Sequence, residues 1–168
     1  MGHYRLMTTT WSDFADDAPD LAGLVRARFG ATGLGFLATL RTDGSPRISG
    51  IEPLVGPDEV MLGMMHESMK ALDLRRDPRC SLHAASIDKS VTEGDARISG
   101  RAIEHLDDDA IARGRRQFTE ATGQAPPDGP MHLFTIDITE VMLLQVAGDH
   151  LVIRSWTPSR GERRVERA

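Results

Sequence analysis

Between Leu37 and His83 the chain reads LATLRTDGSPRISGIEPLV, a short gap, then MLGMMHESMKALDLRRDPRCSLH, and this stretch constrains the fold more than any other. Gly35 to Arg41 is a compact apolar run of the kind a buried strand carries, and the Asp43-Gly44 pair inside Thr42–Ser45 is a hairpin turn. Arg47 to Val55 then runs back, Gly56-Pro57-Asp58 turns the chain again, and Val60 to Met65 forms a third strand. The third strand feeds a short helix over Ser68 to Arg76. That helix must stop by Asp77, because the residue before Pro78 is pushed out of the α region. Near its start stand Ser68 and Lys70. The unpaired N–H groups of a first helical turn and the positive end of the helix dipole both favour an anion. The segment therefore predicts a place for a phosphate-bearing cofactor, although spacing alone also fits an ordinary N-cap and a solvated lysine.

Either side of this segment the patterning alternates between strand and helix. Pro19 suits a first helical position, and Leu21, Leu24, Val25 and Phe29 share one face of a helix ending near Gly30. Strands follow over Cys80 to Ala85 and Ala96 to Glu104, then a helix over Asp107 to Thr122 and a loop from Gly123 to Pro130. A long hairpin closes the pattern, Leu133 to Val146 and Leu151 to Trp156 about a turn at Gly148-Asp149. Six or seven strands with hairpin spacing and about three helices do not make a regular β-α alternation, so a doubly wound parallel sheet is excluded. A mainly β (α+β) antiparallel barrel decorated by helices fits, and 168 residues suffice for one domain with one core. Residues 1–16 read as a polar extension whose Trp11 and Phe14 pack back on the domain. Residues 158–168 carry Arg160, Arg163, Arg164 and Arg167 and read as a solvated, partly frayed basic tail. Arg-Ile-Ser-Gly occurs at 47–50 and 97–100, but four letters are too few to mark a repeat.

Several function classes are disfavoured. A formal net charge of −5 argues against a general nucleic-acid binder. Cys80 stands alone, which fits a reducing compartment; with no leader-like N-terminus and no apolar run long enough for a bilayer, the expectation is a cytoplasmic protein. Gly30, Gly33 and Gly35 lead into a strand, whereas a dinucleotide loop needs a strand before it and a helix after it. The six histidines (3, 66, 83, 105, 132, 150) show no pair at metal-ligand spacing, and no metal is expected. Asp107, Asp108 and Asp109 read as helix-start acids that complement the dipole. Ser45 sits in Gly-Ser-Pro, which is no nucleophile elbow.

Taken together, LATLRTDGSPRISG and LGMMHESMKALDLRRDPRCSLH, in this order and with these gaps, resemble the pyridoxamine-5′-phosphate-oxidase-like family of flavin-binding split β-barrels. The likeness spans about residues 20–157. It implies an antiparallel split barrel, a homodimer with non-covalent FMN at the subunit interface, a small-molecule substrate and two-electron oxidoreductase chemistry. By the same resemblance Arg47, Ser68 and Lys70, with Met69 between the last two, would hold the FMN phosphate, a forked donor and a mobile point charge meeting on one dianion. The backbone of Arg47-Ile48-Ser49 and of Gly63-Met64-Met65 would border the ring, with Gly63 letting a flat ring approach. His66 is the nearest titratable candidate beside that ring. Trp156, Arg160 and Arg164 would reach the partner's flavin. The resemblance also spans FMN reductases, haem-handling proteins and actinobacterial enzymes that use a deazaflavin coenzyme. Glu52 stands where the vitamin-producing oxidases carry a lysine for the substrate phosphate, and a carboxylate there opposes that activity.

Overall fold

The computed structural model describes residues 8–86 and 88–168, so the first seven residues of the expected N-terminal extension lie outside the described residues. The rest of that extension is not irregular. Trp11–Asp17 forms helix α1, opened by a capping box in which the Thr10 hydroxyl accepts from the Asp13 N–H and the Asp13 carboxylate accepts from the Thr10 N–H. Trp11 and Phe14 are fully buried. Helix α2, Pro19–Thr32, runs past Gly30 and ends where Gly33 takes the left-handed conformation (φ 67°) and donates to the Phe29 carbonyl.

Strand β1, Gly35–Leu40, pairs antiparallel with β2, Pro46–Ile51, across the Asp43-Gly44 turn, where the Ser45 N–H and hydroxyl both donate to Asp43 Oδ1. The return run breaks after Ile51. Proline has no N–H for a ladder, and Pro53–Val55 leaves β1 to form β3, antiparallel to β4, Val60–Met65. Then follow α3 (Met69–Arg76), β5 (Arg79–Ala84), β6 (Asp95–His105), α4 (Asp108–Thr122), β7 (Met131–Ala147), β8 (His150–Thr157) and β9 (Gly161–Arg167). The expected frayed tail is thus replaced by a strand: β9 pairs with β8 from Thr157↔Gly161 to Leu151↔Arg167.

All nine strands belong to one antiparallel sheet ordered β2-β1-β5-β6-β7-β4-β3, with β8 and β9 branching from β7. The split arises in β7, 17 residues long. Its first half pairs with β4 and its second half with β8, while β6 accompanies both halves along the other edge. Only Glu52 separates β2 from β3, the two ends of the strand order, so the sheet must curl to bring its ends together. This is an antiparallel split barrel with four helices among the described residues.

Its interior is aliphatic with a few aromatics. Trp11, Phe14, Leu21, Val25 and Phe29 from α1 and α2 meet Leu37, Leu62, Leu82, Ile98, Phe134, Ile138 and Leu143 from the strands. A smaller cluster of Met61, Phe118 and Leu133 seats α4 outside the barrel. Gly114 makes that seating possible, since a Cβ there would stand 2.7 Å from Leu133 Cδ2. Cys80 is core, and burial pushes its thiol up to about 12, which keeps it protonated and unreactive. No helix among the described residues is long and apolar enough to cross a membrane.

Candidate functional site

Helix α3 lies against β1 and β2, and two sets of side-chain bonds fix it there. Asp73, 1% exposed, accepts from Thr39 Oγ1 of β1 (2.9 Å), Arg47 Nε of β2 (2.7 Å) and Arg76 Nη2 of its own helix (3.2 Å). Burial pushes the Asp73 carboxyl up, but the bonds from Arg47, Thr39 and Arg76 outweigh it and hold the group below its ordinary value. On the neighbouring turn, Lys70 Nζ donates to the Gly50 carbonyl of β2 (2.7 Å), and burial lowers the lysine pKa. Arg47 and Lys70 therefore both stand in the seam between β2 and the start of α3. Among the described residues Arg47 bonds only through Nε, which leaves its two terminal nitrogens for another acceptor.

Ser68 is the N-cap residue of α3, yet its hydroxyl caps nothing. Its Oγ is buried without a hydrogen-bond partner. A buried hydroxyl left unpaired costs about 1–3 kcal/mol, which an acceptor at this position would recover. The orphaned Ser68 Oγ, the Lys70 ammonium and the first-turn N–H groups are donors at the start of α3, the free end of Arg47 is a donor in the seam that α3 makes with β2, and Lys70 and Arg47 supply positive charge. Such a set fits a phosphate monoester.

The turn that leads into α3 is shaped from below. Glu67 has φ 54°, a left-handed conformation that side-chain-bearing residues avoid, and its N–H donates to His132 Nε2 (3.0 Å). His132, 3% exposed on β7, sits with Nδ1 2.7 Å from Glu104 Oε1, and Arg75 closes on the same carboxylate with two bonds of 2.7 and 2.8 Å. Burial raises the Glu104 pKa, while Arg75 and His132 pull it down further, so the group is held below its usual range. His66, about half exposed, stacks on His132 with ring centroids 5.5 Å apart.

The structure thus brings Arg47, Ser68 and Lys70 together, with Ser49 half-buried on the same face of β2 and Met69 exposed at the first helical position. Ile48 points to the opposite face and is 72% exposed; Met65 ends β4 and is exposed too. The other expected residues have different surroundings. The space imagined over Gly63 is filled, because Phe118 and Met131 of the α4 side stand 3.2–3.4 Å from where its Cβ would lie. The Met64 side chain belongs to the core, which leaves only its backbone for a ligand. Trp156 is core as well: it is 3% exposed, packs on Phe14 and donates from Nε1 to Asp17 Oδ2 (2.6 Å). It cannot reach a partner's cofactor without leaving that pocket. Arg160 lies exposed in the turn before β9, and Arg164 on β9 pairs with Glu166. Both belong to the hairpin on the second half of β7, while the cradle adjoins the first half. Ten residues of β7 separate Met131, opposite Met65, from Val141, opposite Trp156, which amounts to about 34 Å along the strand.

The anchors Asp73 and Thr39, and the Arg75–Glu104–His132 relay, escaped sequence reasoning. They come from four separated segments, and no local spacing marks them. Only Asp73 left a trace, as an acid three residues before Arg76 on an otherwise basic helix.

Among the described residues no cluster of three or more His, Cys, Asp or Glu side chains is arranged for a metal ion. Comparison with known proteins follows the same lines. Solved structures sharing this architecture include a pyridoxamine 5′-phosphate oxidase-related, FMN binding protein from Nostoc punctiforme, 15% identical with TM-score 0.62, covering 94% of this chain and 99% of that one. PhzG from Burkholderia lata, solved with tetrahydrophenazine-1-carboxylic acid, is 16% identical with TM-score 0.61 over 90% and 94% of the two chains. ChuZ from Campylobacter jejuni superposes with TM-score 0.69 at 12% identity, over 85% of this chain and 61% of that one. No curated protein sequence matches. The pyridoxamine 5′-phosphate oxidase family pattern matches residues 21–145, from α2 through most of β7 and including the whole cradle. The chain belongs to the pyridoxamine 5′-phosphate oxidase family.

Proposed function

We propose that the protein is an FMN-binding oxidoreductase whose flavin phosphate sits at the start of α3. The observation that carries this reading is the buried Ser68 hydroxyl without a partner, flanked by Lys70 and by the unbonded end of Arg47. Bound there, the flavin supplies two-electron redox chemistry. The residues of the chain do the rest. Arg47, clamped through Nε by Asp73, presents its terminal N–H groups in a fixed direction; Ser68 donates its O–H; and Lys70 turns its ammonium from the Gly50 carbonyl toward the phosphate. His66, exposed next to the turn, is assigned proton transfer at Nε2. Glu52 lies exposed in the link between β2 and β3, where its carboxylate disfavours a substrate phosphate.

The same reading makes the protein a homodimer. On the outer face of the sheet Phe36 and Ile48 are 48% and 72% exposed on adjacent strands, their cross-strand partners being Gly50 and Ala38. Met65 and Met69 add exposed apolar surface beside the cradle. A second copy covering this apolar surface would also shield the flavin from water.

Purified protein titrated with FMN while its visible spectrum is recorded tests the reading. Saturable binding with a shifted flavin band is the expected result; haem or deazaflavin bands in the isolated protein would redirect it. Lys70→Ala removes a charged donor and is expected to weaken FMN by about 1–3 kcal/mol. Unchanged affinity would take Lys70 out of the site.

A further inference from the structure

We infer that His132 is the positioning residue of the cradle, holding Ser68 and the first-turn amides in place through the amide of Glu67. The inference rests on the reading that the cradle takes a flavin phosphate, a phosphate monoester. Glu67 immediately precedes Ser68, so its backbone angles set where the Ser68 hydroxyl and the next N–H groups point. Those angles are left-handed, at φ 54°, which an L residue with a side chain adopts only when something holds it there. The Glu67 side chain is not that restraint, being 74% exposed. Two bonds restrain the turn: the Ser68 N–H donates to the Met65 carbonyl (3.1 Å), closing it locally, and the Glu67 N–H donates to His132 Nε2 (3.0 Å), which alone ties Glu67 itself to the rest of the fold.

His132 can accept that bond because its other nitrogen is committed. A backbone N–H can only donate, so Nε2 carries the lone pair and the ring proton resides on Nδ1, directed at Glu104 Oε1 2.7 Å away. Glu104 stays an anion under the bidentate grip of Arg75. Around the ring stand Glu104 and Arg75 on one side, His66 stacked above, and Phe134 two residues along β7. The relay starts at Arg75 in the last turn of α3, crosses β6 and β7, and returns to the residue that precedes the same helix. Both ends of α3 are thereby tied to one buried histidine.

Three variants and two readouts test this. His132→Phe keeps the ring and removes both nitrogens; His132→Gln places an amide oxygen where Nε2 stood and restores the acceptor for Glu67. Glu67→Gly makes the left-handed turn free of strain. FMN affinity is expected to fall roughly tenfold in His132→Phe. It is expected to recover to within about threefold in His132→Gln and in the His132→Phe/Glu67→Gly double variant. In the cofactor-free protein, the Glu67 amide should be protected from hydrogen exchange in wild type and lose that protection in His132→Phe. Should His132→Phe fail to fold, His132→Asn takes its place, since it can donate to Glu104 but is too short to reach Glu67. Wild-type affinity in these acceptor-less variants, or a Glu67 amide that exchanges equally fast with and without the histidine, overturns the inference. Lost affinity that neither His132→Gln nor Glu67→Gly restores also overturns it. If wild type binds no FMN, the cofactor reading fails, and the exchange experiment still decides whether His132 holds the turn.

Discussion

Ser68 and Asp73 sit five residues apart, at the cap and in the body of α3, and their polar groups are in opposite conditions. The Ser68 hydroxyl is buried with no partner; the Asp73 carboxylate is buried with three. Ser68→Ala should therefore act with opposite sign in the two states of the protein. Without cofactor its melting temperature should hold or rise, because an unsatisfied group is removed; FMN affinity should fall by about 1 kcal/mol. Calorimetric melting with and without FMN reads both effects. Asp73→Ala leaves Arg47 without its clamp and should cost about 2–4 kcal/mol in denaturant unfolding. The folded Asp73 carboxyl lies below its ordinary value of 3.8. Its contribution is thus complete above pH 3.8 and is lost as pH falls through the lower folded value. Stability measured on acidification should accordingly drop less steeply in Asp73→Ala than in wild type below that pH. At this scale the sequence was partly legible. The places of Ser68 and Lys70 at a helix start could be read from the sequence pattern, and Arg47 entered through the family resemblance alone. Asp73 and His132 could not, because their roles depend on burial between segments far apart in the chain.

Among the elements, β9 and α1 are the two that patterning misses, and for different reasons. An edge strand that carries Glu162, Arg163, Arg164, Glu166 and Arg167 shows polar residues on both faces, with only Val165 as an apolar signal. Such charge blunts an exposed edge against pairing with other chains, and it also erases the alternation by which strands are recognised. Helix α1 is too short for a helical period to emerge, although Thr10 and Asp13 spell its capping box. Helix α1 meets the hairpin that β9 completes: Trp156 of β8 packs on Phe14 and bonds Asp17, both of α1. Trp156→Ala should cost about 3–5 kcal/mol in global stability, measured by chemical denaturation. FMN affinity in the folded fraction should stay near wild type. A selective loss of cofactor binding at unchanged stability would return Trp156 to the site.

Across the whole molecule, an exposed apolar pair lies on the sheet, the Phe36–Ile48 face of β1 and β2. Ile48 belongs to the strand that carries Arg47, so covering this face and building the cradle involve the same strand. If the proposed FMN-binding homodimer forms through this face, Ile48→Asp should shift it from dimer to monomer in analytical ultracentrifugation and weaken FMN in parallel. A monomeric wild type with full FMN affinity would separate the two. The antiparallel barrel itself was legible, because each hairpin turn announces its strands. The branching of β7 into two partners was not, since a 17-residue strand reads the same whether one neighbour or two share its edge.

That shared strand also sets when the protein can acquire its shape. β7 starts at residue 131 and is the partner of β4, β6 and β8. Until β7 is made, β4 and β6 lack the partner that lies along their facing edges, and the cradle's sequence precedes His132, to which the Glu67 N–H donates. Closure waits for β7. The interval before it is when a nascent chain of this design is most exposed to wrong pairing, and a ribosome stalled ahead of Met131 should display protease-sensitive strands that one stalled beyond the exit of β8 does not.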